Sequence, residues 1–92
     1  MPEYLVELYL PRTDTAVVER SAERARLGAE LLTRAGTPVR FVRSIFVPED
    51  ETCFVIYEAA STGAVRAAAA RAGLRFERVV ALVTTAEGGA GG

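Results

Sequence analysis

From Glu3 to Leu10 the chain alternates Tyr4, Val6, Leu8 and Leu10 with Leu5, Glu7 and Tyr9. A period of two puts successive side chains on opposite faces of a strand, and it predicts a first strand whose Tyr4 set faces a core, ended by Pro11. The period then changes. Val18, Ala22, Ala25, Ala29 and Leu32 recur at steps of three and four, with Arg20, Glu23, Arg24, Arg26, Glu30 and Arg34 between them. That spacing predicts a long helix with one packed face and one solvated face. Thr13-Asp14-Thr15 offers its N-cap, Glu19 is expected to bring a carboxylate to its first turn, and Gly36, with Pro38 beyond, stops it. Glu30 and Arg34 have the spacing of an i, i+4 ion pair, worth ~0.3 kcal/mol on an exposed face.

The stretch from Phe41 to Ala59 is the densest in β-branched and aromatic residues, broken by Pro48-Glu49-Asp50-Glu51. It predicts a hairpin whose strands are apolar on both faces, Phe54 and Ile56 pointing one way and Cys53, Val55 and Tyr57 the other. Ser61 or Thr62 can cap a second helix running through Ala72, with Val65, Ala68, Ala69 and Ala72 as its packing stripe and Gly73 as its end. Phe76 to Thr85 predicts a last strand, Phe76, Val80 and Leu82 against Val79, Ala81 and Val83. Residues 87–92 are a Gly-rich tail expected to be flexible, which leaves residues 1–86 as a single domain.

Strand, helix, strand, strand, helix, strand is the split βαβ order of the ferredoxin-like α+β sandwich. Right-handed crossovers give a four-stranded antiparallel sheet in the order 4-1-3-2 with both helices on one face. Such a sheet is covered on one side only, yet its third and fourth strands are apolar on both. The expectation is a homodimer that buries the helix-free faces against each other, a dimeric α/β-barrel arrangement, with cover by a partner protein as the competing account.

Composition narrows the function without naming it. The 92 residues carry a net charge of -1 with acids and bases interspersed, which argues against nucleic-acid binding, since phosphate recognition draws on clustered positive charge. No apolar run approaches the ~20 residues of a membrane span. The opening Met-Pro-Glu-Tyr has no basic segment followed by an apolar core, so a cytoplasmic protein is expected. The chain has no His, Trp or Lys and one cysteine, Cys53. Imidazole-based catalysis and imidazole metal ligation are therefore excluded within it.

The opening Met-Pro-Glu-Tyr-Leu-Val-Glu, then Val42-Arg43-Ser44 leading through the acidic turn to Thr52-Cys53-Phe54 and Tyr57-Glu58-Ala59, and finally Ala70-Arg71-Ala72-Gly73-Leu74 with Arg78-Val79, together resemble a family of small bacterial ferredoxin-like nickel-binding proteins. Where that family often carries a tryptophan before its serine, this chain has Phe41-Val42. The resemblance implies a sheet-to-sheet dimer and a nickel site, to which this chain would bring Cys53 as its soft ligand.

Polar residues inside strands are the other candidates. Glu7 and Tyr9 share the face opposite Val6 and Leu8, and Arg43 alternates with Phe41 and Ile45. If these line the uncovered face they converge on the cleft between two sheets, joined by Tyr57 or by Glu58 according to which face of the third strand is uncovered. A cofactor-free isomerase, cyclase or monooxygenase would use Glu7 there as a general base. The competing account is structural: a Glu7–Arg43 salt bridge at a dimer seam with tyrosines around it. Cys53 is in the same way either a ligand or a small buried hydrophobe, and Glu49, Asp50 and Glu51 are either oxygen ligands for a hard cation or a solvated turn. The reading that results is a small dimeric binding protein for a metal ion or an apolar small molecule, with the cofactor-free enzyme as its alternative.

Overall fold

A computed structural model describes residues 1–12 and 14–83. Its elements are β1 (Glu3–Tyr9), α1 (Thr15–Arg34), β2 (Val39–Val47), a 3-10 turn (Pro48–Asp50), β3 (Thr52–Ala59), α2 (Thr62–Arg71) and β4 (Phe76–Ala81). The sheet is antiparallel throughout in the order β2-β3-β1-β4, the expected order read from its other edge. The predicted tail at 87–92 and the last residues of the predicted final strand, Thr84 and Thr85, lie outside the described residues.

Both helices start and stop for local reasons. Asp14 caps α1, its Oδ1 accepting from the Val17 amide at 3.1 Å, and Ser61 caps α2, its hydroxyl accepting from the Ala64 amide at 3.1 Å. Because Asp14 is the cap, Glu19 falls beyond the first turn, which contains no acidic residue. The carboxylate that favours this helix start is that of the cap itself.

Each helix closes in the same way. The Thr37 amide donates to the Leu32 carbonyl and Gly36 to Thr33; in α2 the Leu74 amide donates to Ala69 and Gly73 to Ala70. Gly36 and Gly73 take φ of 108° and 74°, the left-handed geometry of the Schellman cap. The ion pair on α1 joins Glu23 to Arg26 at i, i+3, and none forms between Glu30 and Arg34.

The core lies between the helices and one sheet face. Tyr4, Val6 and Leu8 of β1, Cys53, Val55, Tyr57 and Ala59 of β3, and Val79 of β4 meet Ala25, Ala29 and Leu32 of α1 and Val65, Ala68 and Ala69 of α2. The helices approach each other closely at Gly28, where an added Cβ would stand 2.7 Å from the Ala68 carbonyl oxygen and 2.9 Å from the Ala72 Cβ.

Two bulges break the simple alternation, one in each edge strand. In β2 the pairing runs Phe41 with Tyr57 and then Arg43 with Ile56, so Val42 is the extra residue. In β4 it runs Phe76 with Leu8 and then Arg78 with Glu7, so Glu77 is extra. A bulge reverses the facing of everything beyond it relative to a strict period of two. Phe41 therefore packs on the core, edge-on to Tyr57 with ring centroids 6.3 Å apart, while Arg43 and Ile45 face the other way. Phe76 likewise packs on the core and Val80 faces away from it. The expected Phe41–Arg43–Ile45 and Phe76–Val80–Leu82 rows are corrected accordingly.

Candidate functional site on the helix-free sheet face

The helix-free face takes its side chains from alternate positions of all four strands. Register places Ile45 opposite Phe54, Phe54 opposite Glu7, Ile56 between Arg43 and Leu5, and Leu5 opposite Val80. An apolar band of Ile45, Phe54, Ile56, Leu5 and Val80 thus crosses the sheet from edge to edge. Four of the five are half-buried, and Ile45 is 43% exposed.

Ion pairs flank this band. Arg78 Nε donates to Glu7 Oε1 at 2.7 Å, and Arg40 Nε donates to Glu58 Oε1 at 2.9 Å across β2 and β3. The Arg40 hydrogen bond holds the Glu58 carboxyl below its usual range, and the same bond raises the Arg40 guanidinium. Among the described residues Arg43 has no ion-pair partner and stands exposed on the edge strand. Tyr9 lies at the rim, 56% exposed, its hydroxyl 3.5 Å from Glu51 Oε1.

Of the residues singled out from sequence, Glu7, Tyr9, Arg43 and Glu58 share this face. Tyr57 does not. It is fully buried on the opposite side of β3, where its hydroxyl donates to the Ala25 carbonyl of α1 at 3.2 Å, and burial drives its ionisation far upward. The face of β3 was the open choice in the sequence, and the helices settle it in favour of Glu58.

The expected Glu7–Arg43 bridge is also absent, because β3 lies between their strands. Glu7 finds Arg78 instead. Arg40 and Arg78 were missed because pairing each with its partner needs the register across two strands, bulges included.

Cys53 sits in the core with no exposure, its Sγ 3.4 Å from the Ser44 hydroxyl. Burial pushes the thiol up, with the Ser44 hydrogen bond offsetting part of the shift. The acidic turn has a structural use: Glu51 accepts the Arg12 amide at 2.7 Å through its side chain and the Leu10 amide at 2.9 Å through its carbonyl, which ties down the end of β1. Among the described residues no group of three or more Cys, Asp or Glu side chains is placed to hold a metal ion. No helix among them is long and apolar enough to cross a membrane.

Nickel favours imidazole and mixed nitrogen ligands. This chain has no histidine, its one thiol is buried and held protonated, and the Glu7 and Glu58 carboxylates are engaged by arginines. The donor set does not fit a nickel centre.

Comparison with known proteins places the chain among relatives. Residues 4–82 match the model of a family described as nickel responsive protein SCO4226-like. The fold is similar to the crystal structure of SCO4226 from Streptomyces coelicolor A3(2), with a TM-score of 0.73 over 91% of this chain and 99% of that one. Sequence identity across that match is 15%, so the likeness speaks for the fold. No curated protein matches the chain.

Proposed function

The chain belongs to the SCO4226-like family of nickel-responsive proteins, and from that premise we propose that it works as a small homodimeric binding protein whose helix-free sheet face is both the subunit interface and the wall of a site for a small apolar molecule. The observation that carries this reading is the apolar band of Leu5, Ile45, Phe54, Ile56 and Val80 on a face no helix covers. Soluble monomers rarely leave such a band open, because each large side chain gains roughly 1.5–3 kcal/mol on full burial. The Arg40–Glu58 and Glu7–Arg78 pairs at its margins suit the polar rim of an interface.

A second sheet laid on this one encloses the band. Arg43, exposed at its edge, is the natural polar handle for a ligand held there. Family membership brings nickel as the first ligand to consider, and the chemistry of this chain's donors weighs against it. The enzymatic alternative draws less support: a general base needs an unengaged carboxylate, and Glu7 is held by Arg78.

Native mass spectrometry of the protein as purified tests both halves of the proposal. The expected result is a dimer that carries an additional small organic mass, with dimer and added mass lost together in Phe54→Asp. A monomer without added mass contradicts it.

A further inference from the structure

A second concavity lies on the helix side of β2, away from the proposed interface. It is an open groove of about 550 Å³ between the C-terminal half of α1 and the start of β2. That size suits a small organic ligand. Its floor is apolar, with Ala29 and Val39 buried and Phe41 half-buried, and its rim carries the exposed Arg26, Glu30 and Arg34.

The rim charges are not equivalent. Arg26 lies over the Phe41 ring at 5.3 Å and is also held by both oxygens of Glu23. Arg40, which also lines the groove, is engaged by Glu58. Arg34 has no hydrogen-bond or ion-pair partner among the described residues. The rim thus sets the guanidiniums of Arg26 and Arg34 against the one carboxylate of Glu30, and leaves Arg34 unengaged, while the Arg40 head group is turned to Glu58 on the other face.

The geometry points to a binding site for an amphipathic organic anion: a compact apolar or aromatic body on Phe41, Ala29 and Val39, with its carboxylate or sulfonate on Arg34. Guanidinium is the group best matched to a planar or forked oxyanion. The Val42 bulge interrupts β2 beside the groove, which blunts this edge for pairing with an extended strand and favours a compact occupant.

Titration of the full chain with 8-anilinonaphthalene-1-sulfonate, an aromatic sulfonate whose emission rises in apolar surroundings, tests the site. The expected result is saturable binding of one probe per chain, with amide shifts centred on Val39 and Phe41. Arg34→Glu should weaken it by about tenfold, the loss of a charge-assisted contact. Glu30→Gln should tighten it, and Arg75→Glu, a charge change elsewhere on the surface, should leave it unchanged. Absence of saturation, an equal loss in Arg34→Glu and Arg75→Glu, or shifts centred on Leu5, Phe54 and Ile56 would overturn the assignment.

Discussion

Arg78 holds Glu7 at 2.7 Å across β4 and β1, and this pair occupies the position that a free carboxylate would need for acid–base chemistry. Arg78 is 64% exposed and Glu7 25%, so solvent screens the interaction. Glu7→Gln and Arg78→Ala should each lower stability by no more than about 1 kcal/mol, with a coupling of a few tenths in the double-mutant cycle. Urea denaturation of the four proteins measures it. A loss of several kcal/mol in Glu7→Gln would mean that the carboxylate is far more buried in the assembled protein.

Gly28 gives a prediction of sign. At an exposed helical position Gly→Ala stabilises by up to about 1 kcal/mol. In Gly28→Ala the new methyl would stand 2.7 Å from the Ala68 carbonyl oxygen, which belongs to the backbone of α2 and cannot swing aside. The helices must separate, and the variant should be destabilised by about 1–3 kcal/mol. Gly63→Ala is the control, since the nearest atom to its new methyl is the Ser61 hydroxyl oxygen at 3.8 Å. It should be neutral or stabilising in the same thermal melts.

Alkaline pH should weaken the fold through two buried groups. Cys53 and Tyr57 are both raised by burial in the folded chain, so each favours the folded state while its unfolded counterpart is protonated. Their stabilisation is complete below the unfolded values of about 8.5 and 10, and is lost as pH rises above them toward the folded ones. Denaturation midpoints should fall between pH 8 and 11 on the order expected from those values. Cys53→Ala should flatten the first part of the decline and Tyr57→Phe the second. Tyr57→Phe should also cost about 1 kcal/mol at neutral pH for the lost hydrogen bond to Ala25.

Nickel should bind weakly if at all. Calorimetric titration of the purified protein with nickel is expected to show no saturable stoichiometric heat, because the chain has no imidazole and its only thiol is buried. Tight stoichiometric binding would overturn the donor argument.

Much of the fold was legible in the residues. Period and turn chemistry predicted both helices, all four strands and the sheet order, because Tyr4, Val6 and Leu8 and then Val65, Ala68 and Ala69 kept their periods intact. The site was legible only in part. Val42 and Glu77 are ordinary strand residues, and nothing in a one-dimensional pattern marks them as the extra residues that turn Phe41 and Phe76 into the core. Tyr57 was ambiguous for another reason. Strand β3 is apolar on both sides, so alternation says which residues go together and not which set the helices cover. The closeness of Gly28 to Ala68 joins positions forty residues apart on two different helices, and it emerges only in three dimensions.

The proposed interface is tested most directly by the mass in solution. Multi-angle light scattering at micromolar protein should return twice the chain mass for the wild type, and Ile45→Glu and Phe54→Asp, which place carboxylates on the facing pair at the β2 end of the band, should return the chain mass with the helical signal preserved. A wild-type protein that runs at the mass of one chain would contradict the account.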